Sequence, residues 1–280
     1  MIHPLLDCAR IDQPPDQYLH AVGVVFAEFG RQTQDSGNRS YGVRIGAERY
    51  FVKTAGHPGD PEPVLSHAAR VALLRNAVRL HATCRHPILP PIHQVIESPF
   101  GPLLVYPWVD GELLGVPRAR RTDPQSAFQR FRRLPTATIC RCLDAIFDLH
   151  AALARAGWIA VDFYDGCLLY DFAAERIAVI DLDMYHAGPF QNDMGRMFGS
   201  TRFMAPEEFE LGARIDERTN VFTMGRTALN FLSDGTLEEH LFRGSQALFR
   251  VVARACHPDR AQRFDSLAAF YRAWQAARHG

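Results

Sequence analysis

Two aspartates on either side of a predicted hairpin are the residues of this chain best suited to chemistry. Apolar runs at 168–170 and 177–180 flank a polar turn, and this pattern predicts a pair of antiparallel strands. Asp162 then lies on the loop before the first strand, and Asp181 lies at the end of the second. Two carboxylates brought together in this way suit a proton acceptor and a metal ligand for phosphoryl transfer.

The first third of the chain is rich in predicted strands. Residues 1–20, which include two adjacent prolines, predict an irregular extension. A helix is predicted at 61–80, because this segment begins among proline and acidic residues and has apolar residues on one face. Runs of β-forming residues between polar, glycine-containing turns predict strands at 22–29, 40–45, 49–54, 92–96 and 103–106.

The rest of the chain is predicted to be helical apart from the hairpin. A long helix opens at Thr136, because apolar residues recur there at helical spacing. A nearly continuous apolar run at 221–232 predicts a buried helix, with Thr219 and Asn220 as its possible caps. Two more helices are predicted at 247–255 and 266–277.

The composition favours a cytoplasmic protein. Lysine plus arginine and aspartate plus glutamate each number 31 in the 280 residues, so no net charge points to nucleic acid or an anionic membrane as a partner. The six cysteines show no paired spacing, which favours a reducing compartment. The N-terminus lacks the regions of a signal peptide, and no apolar run reaches the roughly 20 residues of a membrane span. We therefore expect neither nucleic-acid nor membrane binding.

Further motifs accompany the two aspartates along the chain. They are Tyr50-Phe51-Val52-Lys53, the stretch GSTRFMAPE at 199–207, TNVFTMG at 219–225 and HPDRAQRF at 257–264. In this order and spacing they resemble the eukaryotic-like Ser/Thr protein kinases over about residues 20–275. The resemblance implies a bilobal α+β fold. Its parts would be an extension at 1–20, a small antiparallel-sheet N-lobe with one helix at 21–108, and a larger, mainly helical C-lobe at 109–280.

The same resemblance implies a phosphotransferase that uses ATP and Mg²⁺. Lys53 would bind the nucleotide's phosphates and take part in catalysis, and Asp162 would accept the proton of the acceptor hydroxyl. Asp181 would hold magnesium, with Asp183 as a further ligand. The acceptor would be a hydroxyl group of a protein or of a small molecule. The implied nucleotide-binding residues are Ser36, Gly37, Phe51, Lys53, Tyr106, Pro107, Val109 and Asp181.

The sequence departs from the kinase pattern at several positions. Ala77 stands where a helix glutamate normally pairs with the lysine, and Cys167 replaces the asparagine that would ligate a second magnesium. Asn220 replaces the buried aspartate that anchors the catalytic loop. A thiol is a poor ligand for a hard cation, so Asp165 or Asp183 is considered as the replacement ligand.

Three functions therefore stay open. The retained lysine and the two aspartates favour an active phosphotransferase of the Ser/Thr protein kinase type. Ala77 and Cys167 suggest a pseudokinase, a nucleotide-binding regulatory module with little turnover. Phe51 suggests a small-molecule kinase, because an aromatic residue two positions before the lysine is similar to the aminoglycoside-type branch. In each case Glu207 and Arg263 are expected to form a buried ion pair.

Overall fold

The chain divides into two compact units with different secondary structure. The computed structural model describes residues 3–30, 37–59 and 65–279, and the two units are Met1–Val109 and Asp110–Gly280. The described residues contain seven α-helices and a small antiparallel sheet, so the predicted α+β class is confirmed. In this part of the chain, no helix combines the length and the apolar character that crossing a membrane requires.

The first unit is built on an antiparallel sheet. Its elements are α1 (Pro15–Val22), β1 (Val24–Phe29), β2 (Arg39–Ile45), β3 (Glu48–Thr54), α2 (His67–Thr83), β4 (Gln94–Ile96) and β5 (Leu103–Pro107). Neighbouring strands pair antiparallel in the order β1-β2-β3-β5-β4. Each of the five predicted strands is confirmed to within two residues of its expected bounds.

The prediction of an irregular extension at 1–20 is wrong for α1. This helix begins at Pro15, whose fixed φ and missing N–H suit the first position of a helix. Leu5 and Leu19 are fully buried and belong to the same apolar core as Val43 and Val52 of the sheet. The segment is therefore part of the first unit's core, and its helix was too short for the apolar spacing to reveal.

Helix α2 begins later than the sequence predicts. The predicted start at residue 61 lies outside the described residues, and the helix runs from His67 to Thr83. Ser66 caps it, because its hydroxyl accepts a hydrogen bond of 3.2 Å from the Ala69 N–H. The face that carries Leu74 and Ala77 is buried. The helix contains no aspartate or glutamate, and Ala77 stands where the kinase pattern has a glutamate.

The second unit is mainly helical and has several short strands. Its elements are β6 (Glu112–Leu113), α3 (Ala127–Arg132), α4 (Thr136–Arg155), β7 (Trp158–Ile159), β8 (Leu168–Asp171), β9 (Arg176–Val179), β10 (His186–Ala187), β11 (Phe190–Gln191), β12 (Arg214–Ile215), α5 (Glu217–Leu232), α6 (Gln246–Ala255) and α7 (Leu267–His279). The predicted hairpin is confirmed as the antiparallel pair β8–β9. Strand β6 pairs with β8, so the hairpin becomes a three-stranded sheet.

Helix α5 is buried along most of its length and starts before the predicted position. The expected caps Thr219 and Asn220 are wrong, because both lie inside the helix. Asp216 is the cap, and its carboxylate accepts a hydrogen bond of 3.0 Å from the Arg218 N–H. In return, the Thr219 hydroxyl accepts a hydrogen bond of 3.3 Å from the Asp216 N–H. The helix start was missed because its polar first turn precedes the apolar run.

The predicted ion pair between Glu207 and Arg263 is confirmed inside the second unit. Two hydrogen bonds of 2.7 and 3.0 Å join the guanidinium to the two carboxylate oxygens, and both side chains are buried. Thr219 donates a third hydrogen bond of 2.9 Å to the carboxylate. Burial by itself raises the pKa of the Glu207 carboxyl, but the bonds and charge of Arg263 outweigh it and hold that pKa below its ordinary value.

Removing one member of this pair should destabilise the second unit strongly. Arg263→Met leaves the Glu207 charge buried without its partner, and we expect a loss of about 3–5 kcal/mol in the free energy of unfolding by urea. The control is Arg120→Met, whose ion pair with Asp123 is solvent-exposed. That variant should lose less than about 1 kcal/mol. Similar losses in the two variants would contradict the prediction.

Candidate functional site

The loop that carries Asp162 is fastened to helix α5 by one amide side chain. The Ala160 N–H donates to Asn220 Oδ1 at 2.7 Å, and Asn220 Nδ2 donates to the Ala160 carbonyl at 2.8 Å. Asn220 is buried, so water does not compete for these bonds. An aspartate in this place could accept the first bond but could not donate the second. The asparagine therefore fixes both backbone groups of Ala160, two residues before Asp162.

Asp162 and Asp181 both adopt a backbone conformation that residues other than glycine seldom adopt. Their φ angles are 61° and 62°, in the left-handed region. Such a conformation costs about 1–3 kcal/mol and persists only where the surrounding structure enforces it. Asp162 is half-buried, and Asp181 is exposed. The two residues that the sequence singled out for chemistry are thus the ones held in strained backbone at the two ends of the hairpin.

Cys167 lies between the two aspartates and is fully buried. Its thiol donates a hydrogen bond of 3.4 Å to the Asp162 carbonyl, and its own carbonyl accepts one of 2.9 Å from the Ile180 N–H. The hairpin therefore brings the chain at Asp162 and the chain next to Asp181 to one residue. Burial raises the pKa of the thiol well above its ordinary value, and the charges of Asp181 and Asp162 raise it further. Cys167 is a neutral thiol that ties the loop together.

Asp165 is unsuited to replace Cys167 as a metal ligand, because it is already paired. Its buried carboxylate forms an ion pair with Arg202, which follows the glycine of the GSTRFMAPE stretch. The Arg202 carbonyl accepts a hydrogen bond of 2.7 Å from Arg226 on α5. This pair joins the Asp162 loop to the downstream segment. Asp183, which is also buried, stays the predicted further ligand.

The donor chemistry beside the hairpin fits magnesium. Asp181 offers an exposed carboxylate, and carboxylate oxygens are the ligands that Mg²⁺ takes from proteins, usually one or two together with phosphates and water. Among the residues that the structure describes, no group of three or more His, Cys, Asp and Glu side chains could hold a metal on its own. A metal at Asp181 would therefore depend on oxygens from a bound substrate.

The carboxyl of Glu208 lies in a crevice next to Asp162, and no sequence pattern singled this residue out. Glu208 lines this crevice with Asp162, Gly199 and Thr223, and the space is too narrow for a water molecule. Its Oε2 atom accepts a hydrogen bond of 2.6 Å from the Ala205 N–H. Burial raises the pKa of Glu208 to about 8, and the nearby charges of Glu207 and Asp162 add to the shift. Glu208 is therefore largely protonated at neutral pH.

In the first unit, Lys53 lies on the sheet face that also carries a row of aromatic side chains. Lys53 pairs across β3–β5 with Leu104, and Phe51 pairs with Tyr106. Directly paired residues of neighbouring strands share a face, and alternate residues of one strand do as well. Lys53, Phe51 and Tyr106 therefore share one face. Phe29 shares it too, because it pairs through Ser40 with Lys53. Lys53 itself is buried.

The aromatic rings on this face form a continuous cluster that includes Trp108. The centroid distances are 6.2 Å from Phe51 to Tyr106, 5.9 Å from Phe51 to Phe29, 6.4 Å from Phe29 to Trp108 and 4.8 Å from Trp108 to Phe26. Gly42 makes room for them, because a Cβ there would lie 2.8 Å from Phe26 and 2.9 Å from Trp108. Partly exposed rings beside a lysine suit a ligand that has both an aromatic base and phosphates.

The other predicted nucleotide-binding residues are Ser36, Gly37, Pro107 and Val109. Ser36 lies outside the described residues. Gly37 has a φ of 85°, and its carbonyl accepts a hydrogen bond from the fully buried Arg70 of α2. Pro107 pairs with Tyr50 at the end of β5, and the half-buried Val109 closes the first unit. Their roles as nucleotide contacts stay predictions.

Comparison with known proteins assigns nothing to this chain. No family model matches it, and no curated protein matches it. The kinase resemblance therefore stays an interpretation of the motifs.

The protonated state of Glu208 predicts a distinctive pH dependence of stability. The pKa of Glu208 is 4.5 in the unfolded chain and about 8 in the folded protein. At a pH between these two values, the folded state therefore holds a proton that the unfolded state has released. The contribution of Glu208 to the free energy of unfolding therefore falls as the pH rises from 4.5 to about 8. Glu208→Gln keeps the acceptor for the Ala205 N–H but cannot ionise. The variant should gain about 5 kcal/mol relative to wild type across this interval.

Urea denaturation at a series of pH values measures this effect. Glu210→Gln, an exposed neighbour, is the control for charge removal on the same segment. Parallel curves for wild type and Glu208→Gln would show that Glu208 is ionised in the folded protein.

Proposed function

We propose that this protein is an ATP-dependent phosphotransferase of the Ser/Thr protein kinase type, with the bilobal arrangement that its motifs imply. The observation that carries the proposal is the pair Asp162 and Asp181, each in left-handed backbone and each next to the buried Cys167. Glu175, in the turn of the same hairpin, also has a positive φ of 50°, but Asp162 and Asp181 are the two that lie beside Cys167. Strain of this kind clusters at functional sites.

Each charged group has a distinct task in the proposed reaction. Asp162 accepts the proton of the acceptor hydroxyl, or orients that hydroxyl for attack on the γ-phosphate. Asp181 is the residue that would hold magnesium, which neutralises charge on the phosphates during transfer. Lys53 supplies a fixed positive charge for the phosphates, and the aromatic cluster beside it supplies a stacking surface for the base. The acceptor is a hydroxyl of a protein or a small molecule.

One observation favours a second candidate, a nucleotide-binding module with little turnover. Cys167 is a buried neutral thiol whose hydrogen bond goes to the Asp162 carbonyl, so it offers no ligand to a second magnesium. In the second candidate, the protein binds a nucleotide but transfers its phosphate only slowly. The third, a small-molecule kinase, draws support from Phe51, whose ring belongs to the aromatic cluster.

The first test compares catalysis by wild type and Asp162→Ala. With magnesium and labelled ATP, we expect autophosphorylation and phosphate release by wild type and a loss of about 100-fold or more in the variant, because general-base contributions reach this size. Asp12→Ala, which removes an exposed aspartate of the first unit, is the matched control and should keep wild-type activity. Equal traces from wild type and Asp162→Ala would remove the catalytic role.

The second test asks whether Cys167 limits magnesium use. Cys167→Asn places an amide oxygen, a hard ligand, where the thiol stands, and we expect half-maximal activity at a lower magnesium concentration. Cys167→Ser is the control, since it changes the thiol without supplying the longer amide. An unchanged magnesium requirement in the asparagine variant would mean that another group already does this task.

A further inference from the structure

A buried histidine on helix α4 contacts the segments that follow both aspartates of the site. The ring of His150 meets the ring of Phe163 edge-on, with 4.4 Å between the centroids, and Phe163 directly follows Asp162. On its other side, His150 Nε2 lies 2.7 Å from the hydroxyl oxygen of Tyr185, which lies four residues after Asp181. Water does not compete for these contacts, because all three rings are buried.

The hydrogen bonds of His150 fix its tautomer. Nδ1 lies 2.7 Å from the carbonyl oxygen of Ile146, one turn earlier on α4, and a carbonyl can only accept, so Nδ1 carries a proton. In the neutral imidazole, Nε2 is then the acceptor, and the Tyr185 hydroxyl donates to it. Burial raises the pKa of that hydroxyl well above its ordinary value, and the nearby Cys167 and Asp162 groups raise it further, so the hydroxyl keeps its proton.

Tyr185 closes the turn that begins directly after Asp181. Its N–H donates a hydrogen bond of 3.2 Å to the Leu182 carbonyl. Strand β10, which follows Tyr185, pairs with β7, the strand that leads into the Asp162 loop. The bond from the Tyr185 hydroxyl therefore ties the chain beyond Asp181 to helix α4, beside the start of that loop.

We propose that His150 is a positioning residue that holds Asp162 and Asp181 in their left-handed backbone. It acts on the first through the ring of Phe163 and on the second through the Tyr185 hydroxyl. Its role in phosphoryl transfer rests on the proposed function, whereas its hold on the backbone after Asp181 is independent of that function.

The contact with Phe163 complements the anchor on the other side of Asp162. Asn220 fixes the backbone groups of Ala160, before the aspartate, and His150 packs against the residue after it. A left-handed residue other than glycine persists only where the surrounding structure enforces it. Two buried contacts that flank Asp162 provide this enforcement.

The first test measures amide hydrogen exchange of the whole chain in the segment 185–188. Tyr185→Phe keeps the packed ring and removes the hydroxyl, so the bond to His150 is lost while the shape is preserved. We expect exchange in this segment to become about fivefold or more faster relative to helix α7, the size expected for one buried hydrogen bond. Unchanged exchange in 185–188, or an equal acceleration in α7, would overturn the proposal.

Tyr170→Phe is the matched control for this test. Tyr170 is as deeply buried as Tyr185, but its hydroxyl has no hydrogen-bond partner among the residues that the structure describes. Removal of this hydroxyl should leave exchange in 185–188 as it is in wild type. An acceleration as large as that in Tyr185→Phe would overturn the proposal, because it would not depend on the bond to His150.

The second test measures phosphoryl transfer with magnesium and ATP. His150→Gln keeps an oxygen that can accept from Tyr185 and should keep kcat within about threefold of wild type, whereas His150→Leu, which has no acceptor, should lose about tenfold or more. The KM for ATP should stay the same in both variants, because Lys53 and the proposed stacking surface belong to the first unit. Wild-type kcat in His150→Leu, or equal losses in both variants, would overturn the positioning role.

The two proposals fail in different ways. If wild type transfers no phosphate, the proposed function fails, and exchange in 185–188 alone decides whether His150 holds the chain after Asp181. If wild type is active and neither exchange nor kcat responds to loss of the bond, the proposed function survives and the inference about His150 falls.

Discussion

The paired hydrogen bonds between Asn220 and Ala160 are the constraint on which the second unit's site depends. A left-handed aspartate relaxes unless its neighbours are fixed, and these bonds fix both backbone groups of a residue two positions before Asp162. The anchor is effective because α5 is itself buried. The Glu207–Arg263 pair then holds the following segment against the start of the same helix, through Thr219. The site is thus built outward from one buried helix.

Three of the buried carboxyls of this unit are neutralised, two by arginines and one by a proton. Glu207 is paired with an arginine, and Asp165 is paired with another. Glu208 is neutralised by a proton, because burial raises its pKa. Asp162 is half-buried and Asp181 is exposed, so these two residues lie nearer to solvent than the three buried carboxyls. In the proposed reaction, carboxylates at those two positions would serve a magnesium ion and a hydroxyl proton.

Runs of β-forming residues between turns were enough to predict the strands and the hairpin, and helical apolar spacing was enough to predict the long helix that opens at Thr136. It failed at α1 and at the first turn of α5, because short or polar helical segments leave little periodic signal. The Glu207–Arg263 pair was predictable from the kinase resemblance, since both residues sit in its motifs. The raised pKa of Glu208 was not, because it comes mainly from burial in the folded structure. The order of the motifs indicates candidate functional residues, but it does not indicate which carboxyl groups are protonated in the folded protein.

The aromatic cluster of the first unit has a consequence for how the protein can be observed. The chain has three tryptophans, and Trp158 and Trp274 are buried in the second unit. Trp108 is the one in the first unit, half-buried and in contact with Phe26 and Phe29. Its indole is therefore a built-in optical probe for that unit. Quenching of its emission would follow the arrival of a stacking ligand without any label, against a constant background from the two buried indoles.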